Sequence, residues 1–235
     1  MNYNEITEEQ INTRIKWINY ITNYSNSFSI DSEYIEYELS KEIKLKGLNG
    51  LLGHLRLCGA IPELYGYDTT KEKLYSKYTD IIIHEAFQYI GFNSIVLKER
   101  GDVADVECVN NDYSFVADAK AFRLSRTAKN QKDFKVQSMD NWKHGKPYAI
   151  IICPVYQLPM RKSQIYYQAA ARSVCISTYT HLSVIATYAK VKSKNKAMEL
   201  LHNIFKSIDI MNPSKEAYIY WKTINKTMLN LDKKI

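Results

Sequence analysis

Glycine and proline are scarce in this chain, eight and five among 235 residues, and nowhere do they gather into a linker. Linker-joined small modules, collagen-like repeats and low-complexity segments are thereby excluded. No internal repeat of solenoid or propeller period is present, which removes the repeat architectures as well. Long apolar runs are also missing: the longest, Tyr148 to Val155, falls far short of the roughly eighteen residues of a membrane span. It reads as a buried strand, and no membrane partner is expected. Cysteine is sparse too, with Cys58, Cys108, Cys153 and Cys175 lacking any CxxC spacing. Neither a zinc knuckle nor a disulfide framework is suggested, and reduced thiols are the expectation. A secretory leader would need basic charge followed by an apolar run, whereas Asn4, Glu5, Glu8 and Glu9 are polar or acidic. A cytoplasmic location follows as an expectation.

What the chain does have is basic charge, +7 in total and unevenly distributed. Residues 1–68 carry ten acids against six bases, and residues 69–119 carry nine against five. The balance then reverses: residues 120–146 hold eight bases and two acids, and the last stretch, 190–235, holds ten and four. An acidic region adjoining a basic one points to a polyanionic partner, while the lysines of 190–235 serve equally well as solvating surface.

Periodicity divides the sequence into three regions of one expected domain, 1–235. In the first, 1–68, Thr7 and Gln10 make a capping box ahead of Ile11, Ile15, Ile18 and Ile21, and amphipathic stretches near 32–46 and 49–59 end at Pro62. That region is helical. The second, 69–190, opens with a long helix from Thr69, whose apolar positions include Leu74, Tyr78, Ile81, Ile82 and Phe87, with Gly91 as its stop. The period then changes. Ser94–Leu97 is short and β-branched, Val103–Val109 alternates, and Tyr113–Ala121 alternates after an Asn-Asn-Asp turn. Helical patterning returns over Thr127–Lys143, followed by an apolar strand at Tyr148–Cys153, a helix at Ser163–Arg172, a strand at Val174–Ser177 and a helix from Thr178. Two further helices, near 195–207 and 214–231, make up the third region, 191–235. The order predicts an α/β domain with a mixed central sheet flanked by helices.

Within the expected hairpin, Asp118 and Lys120 are two residues apart on a strand, so their side chains leave the same face. The preceding antiparallel strand brings Asp105 within a few residues of register. Two carboxylates and an ammonium then converge on one end of a sheet. Hard oxygen donors of this kind suit Mg²⁺, with Mn²⁺ as a substitute, and an ammonium beside them suits hydrolysis of a phosphodiester. The spacing alone is weak evidence, because a cross-strand Asp–Lys pair on a surface hairpin produces it equally well. The surroundings weigh against that reading. Val116, Ala117, Ala119 and Ala121 make the strand apolar, and charges in such a strand are costly unless used. Directly downstream stand Arg123, Ser125, Arg126, Lys129, Asn130, Gln131 and Lys132, residue types that anchor phosphates and read base edges.

The segment VADAKAFRLSRTAKNQKDFKV, Val116 to Val136, closely resembles the catalytic segment of the HindIII-like type II restriction endonucleases, members of the PD-(D/E)xK nuclease superfamily. ERGDVAD, Glu99 to Asp105, and KSQIYYQ, Lys162 to Gln168, are similar to the same family, so the likeness runs over roughly 60–190. The N-terminal sixty residues look unrelated, and the C-terminal helical region looks shorter than in the family. The resemblance implies a restriction-endonuclease-like fold, with Asp105 and Asp118 as the two metal-binding acids and Lys120 as the motif lysine. Ala104 stands where the motif has proline. Glu85, on the helix before the sheet, is a further candidate ligand, since several nucleases of this fold carry an acid there. The implied activity is Mg²⁺-dependent double-strand cleavage of AAGCTT after its first adenine. The implied partners are double-stranded DNA, a second copy of the chain and a cognate DNA methyltransferase. Two other readings stay open at this point: another PD-(D/E)xK nuclease acting in repair or junction resolution, and a catalytically idle DNA-binding protein on the same fold.

Overall fold

A computed structural model describes residues 5–97, 103–125 and 131–230, with residues 131 and 132 as main chain only. The polar-to-apolar periodicity of the first region forms α1 (Glu8–Thr22) and α2 (Phe28–Leu57). Thr7 caps α1 through the expected box with Gln10. α2 joins the two amphipathic stretches through a kink at Gly47, where φ is +59°, a conformation that a residue with a Cβ resists. Next comes α3 (Thr70–Ile90), whose Thr69 hydroxyl accepts the Glu72 N–H at 3.3 Å and whose end is set by Gly91 at φ +127°.

Five strands follow in the expected places: β1 (Asn93–Val96), β2 (Val106–Val109), β3 (Ser114–Ala119), β4 (Tyr148–Cys153) and β5 (Val174–Thr178). They form one mixed sheet in the order β1-β2-β3-β4-β5. The first three pair antiparallel through short turns, and β3, β4 and β5 pair parallel through helical crossovers. The first crossover contains α4 (Gln131–Phe134) and α5 (Val136–Asn141), and the second contains α6 (Gln164–Ala171). The single helix expected over Thr127–Lys143 is thus two short ones, broken where Lys135 turns left-handed at φ +47°; residues 127–130 lie outside the described residues. α7 (Tyr179–Val191), α8 (Lys194–Asp209) and α9 (Ala217–Asn230) complete the chain.

A contiguous core joins these elements. α3 packs across β1, β2 and β3, and α5 and α6 pack on β5. Phe115 of β3 sits at its middle, with ring centroids 5.0 Å from Phe87 of α3 and 5.1 Å from Phe205 of α8. Such edge-to-face and tilted contacts contribute about 0.5–1.5 kcal/mol each beyond area burial. All four cysteines are buried and free, and among the described residues no helix is long and apolar enough to cross a membrane. The sheet and its helices hold the C-terminal end of β3 fixed, and there the charged residues gather.

Candidate active site

β3 is apolar on both sides until Asp118, which is 2% exposed. Its partner across the parallel pair is Ile151 of β4. Two residues on, Lys120 is tied down at both ends of its own peptide unit: its N–H donates to the Ile152 carbonyl at 2.7 Å, and its carbonyl accepts the Tyr179 hydroxyl at 3.1 Å. Its ammonium forms an ion pair with Asp118 Oδ2. The expected same-face pairing is therefore present as a buried contact.

Asp105 lies just before β2 and is held by three strand-to-strand hydrogen bonds. Its N–H donates to the Ala117 carbonyl at 3.1 Å, its carbonyl accepts the Leu97 N–H at 2.9 Å, and its Oδ2 accepts the Ala119 N–H at 3.0 Å. That last bond lays the carboxylate across the strand between Asp118 and Lys120. Three of the expected site residues are thus together.

A fourth charged group joins them, and the sequence reading did not single it out. Asp80, half-buried on α3, acts on this cluster through its charge and is itself held well above the usual carboxylate range by burial and then by Asp105. Its signal was present in the sequence: Lys73, Lys77, Asp80, His84 and Gln88 repeat at helical spacing as a polar stripe down an otherwise apolar helix. Glu85 is a different case. It is 5% exposed, its ion-pair contact among the described residues is with the His84 ring at 3.9 Å, and five residues past Asp80 it lies about 140° further round the helix. α3 therefore brings Asp80, rather than Glu85, to the Asp105–Asp118 pair.

The electrostatics follow from packing like charges out of water. Burial pushes the Asp105 carboxyl up to about 7, reinforced by the negative charge of Asp118 and opposed by Lys120. Lys120 is raised: burial works against its charge, but Asp118 and Asp105 outweigh burial. Three carboxyls face one ammonium, and the crowding that raises Asp105 and Asp80 is what a divalent cation would relieve. The donor atoms are hard oxygens, and buried Asp118 Oδ2 has no hydrogen bond beyond its ion contact with Lys120. The residues present therefore fit Mg²⁺. Among the described residues no three His, Cys, Asp or Glu side chains stand close enough to hold an ion by themselves. Asp105 and Asp118 are the residues that would hold such an ion, with Asp80 close enough to act on Asp105 through its charge.

The expected DNA-contacting residues fare differently. Arg123 is 4% exposed and turned inward. Its guanidinium donates to the carbonyls of Pro62 at 3.3 Å and Gly66 at 3.1 Å, pairs with Glu72 at 3.3 Å, and lies 4.4 Å from the Tyr67 ring centroid. A guanidinium so engaged is a structural clamp in this arrangement, and the same residue lines the cleft beside α3. Ser125 is exposed, with its N–H and hydroxyl donating to Glu63 at 3.0 and 2.8 Å. Arg126, Lys129 and Asn130 lie outside the described residues, and Gln131 and Lys132 are described only as main chain opening α4.

Two comparisons bear on this geometry. The family model of the HindIII restriction endonuclease matches residues 15–235. The type II restriction enzyme HindIII of Haemophilus influenzae is 42% identical over 139 residues, which is 58% of this chain and 46% of that protein. The chain's match therefore spans about half the length of that relative. The family match begins at residue 15, so most of the N-terminal region that looked unrelated belongs within it, as do α8 and α9. Helical segments of low motif content carry their likeness in spacing and size, which a motif-by-motif reading passes over.

Proposed function

Because the chain belongs to the HindIII restriction endonuclease family, we propose that it is a type II site-specific deoxyribonuclease that hydrolyses both strands of double-stranded DNA with Mg²⁺, or Mn²⁺ in its place. The observation that carries this reading is the contact set of Asp105, Asp118 and Lys120: two carboxylates pinned side by side, one of them paired with the ammonium.

In this mechanism Asp105 and Asp118 would hold the cation, which would supply Lewis acidity at the phosphate and lower the pKa of an attacking water. Lys120, fixed through its main chain by Ile152 and Tyr179, directs its ammonium at the attacking water and at the charge that grows on the phosphoryl oxygens. As the water oxygen bonds to phosphorus, the bond to the leaving oxygen breaks. Asp80 deepens the negative field that retains the cation. A buried, pre-formed cluster favours the transition state because its dipoles and charges need little reorganisation.

The proposed target is AAGCTT, cut after the first adenine, and the proposed partners are a second copy of the chain and a cognate DNA methyltransferase in the same cytoplasm. Plasmid DNA incubated with the purified chain and Mg²⁺, followed by sequencing of the cut ends, tests the reading. Ends at one palindrome support it. Ends scattered or confined to branched substrates indicate another nuclease of the superfamily, and uncut but bound plasmid indicates a DNA-binding protein without activity.

A further inference from the structure

The polar face of α3 extends well beyond Asp80. At 3.6 residues per turn, Lys73, Ser76, Lys77, Asp80 and His84 fall within about 100° of one another around the axis. At the sheet end of this face Asp80 acts on Asp105 and Asp118. At the other end Lys73 and Ser76 line a cleft of about 540 Å³, closed on its far side by Ala121, Phe122 and Arg123. Those three residues continue the chain directly from Lys120. The cleft thus lies beside the active site, between α3 and the continuation of β3.

Lys77 lies between the two ends, about 4.5 Å along the axis from Asp80 and about 6 Å from Lys73. Lys73 is exposed and Lys77 half-buried, and neither forms a salt bridge with a described residue. The acids of the cleft are disposed otherwise. Glu72 is held by Arg123 at 3.3 Å and accepts the Asp68 N–H at 2.7 Å. Asp68 stands before the first turn of α3, at the end of the cleft remote from Asp80. On this face of α3 Lys73 and Lys77 are therefore ammonium groups with no salt bridge to a described residue, Lys77 acting on nearby Asp80 through its charge alone. An ammonium is a compact point charge with three donors, suited to a phosphate.

We infer that Lys73, on the wall of this cleft, and Lys77, one turn nearer Asp80 on the same face of α3, hold backbone phosphates of the strand being cut, beside the scissile one. The inference rests on the reading of the chain as a DNA-cleaving enzyme. It makes Lys77 a positioning residue: it fixes where the phosphodiester lies relative to Asp105, Asp118 and Lys120 without taking part in the chemistry. The grip is made in the ground state and the transition state alike, so its loss falls on KM rather than on kcat.

The test is steady-state cleavage of plasmid and of a short duplex by the full chain with Mg²⁺, over a series of salt concentrations, for the unaltered chain, Lys77→Ala, Lys77→Arg and Lys73→Ala. Lys77→Ala is expected to raise KM about tenfold with kcat within about threefold, and to flatten the log–log salt dependence of kcat/KM by about one. Lys77→Arg should restore most of both, and Lys73→Ala should show a smaller loss of the same kind. Unchanged KM and salt slope in Lys77→Ala overturns the inference, as does a fall in kcat with the slope intact. Should Lys77→Ala melt well below the unaltered chain, Lys77→Gln, which retains the packed stem, replaces it. If the unaltered chain cuts no DNA, the proposed function fails. The inference is then decided by polarisation of a labelled duplex, where Lys77→Ala loses about one unit of salt slope if the α3 wall grips DNA and none if it does not.

Discussion

The carboxylate of Asp105 accepts the main-chain N–H of Ala119, the residue between Asp118 and Lys120, at 3.0 Å. One hydrogen bond thereby locks the first acid to the strand that carries the second acid and the lysine. The relation is a consequence of sheet register: Asp105 donates its own N–H to Ala117, so its side chain reaches the next inter-strand position. Because the main chain sets this spacing, the site is formed before any ligand arrives.

Asp80 and Glu85 are predicted to separate cleanly. Asp80→Asn removes a carboxyl next to Asp105 whose ionisation a bound cation would favour, and should raise the Mg²⁺ concentration for half-maximal cleavage on the order of tenfold. Glu85→Gln should leave that concentration unchanged. A metal titration of cleavage by both variants checks this; the opposite ranking would return the helix ligand to Glu85.

Lys120→Ala should lose turnover by several powers of ten while DNA affinity changes by less than about tenfold, because its ammonium acts on the developing charge rather than on the ground state. Single-turnover rates beside equilibrium binding give both quantities. Equal losses would reduce Lys120 to a phosphate anchor.

Arg123→Ala should act on stability. Removing a buried guanidinium strands the Glu72 carboxylate and the carbonyls of Pro62 and Gly66, at a cost of about 2–4 kcal/mol. Denaturant unfolding measures it. A base reader would instead relax preference at one base pair by about 1–3 kcal/mol without shifting the unfolding midpoint.

Why the inward turn of Arg123 and the part of Asp80 escaped the sequence reading, when the strands did not, has a physical cause. Strand β4 is announced by an unbroken apolar run, β3 by alternation, and α1 by its capping box, all of which are local properties. The Asp118–Lys120 pairing is local as well, since two residues on a strand share a face. Composition marks Arg123 as basic but says nothing about direction, and its inward turn depends on the loop of Pro62 to Gly66, some sixty residues away. Asp80 meets Asp105 only after α3 has folded across the sheet. The break at Lys135 is likewise tertiary, with α5 packing against β4 and β5.

The proposed pairing of two chains rests on an argument from symmetry. A palindrome presents the same base edges twice about a two-fold axis, and one chain offers one Asp105–Asp118–Lys120 site, so a double-strand break in one encounter needs two chains. Sedimentation on a short cognate duplex should show two chains per duplex. One chain per duplex, together with nicked plasmid as the main product, would contradict the dimer.

The central claim is that Asp105 and Asp118 hold a cation that cleavage requires, and plasmid cleavage by Asp118→Asn with Mg²⁺ tests it most directly. Loss of one carboxylate should reduce the rate by several powers of ten while specific binding is kept or tightened, as repulsion between carboxylate and phosphate falls. A variant that still cuts at more than a few per cent of the normal rate would contradict the account.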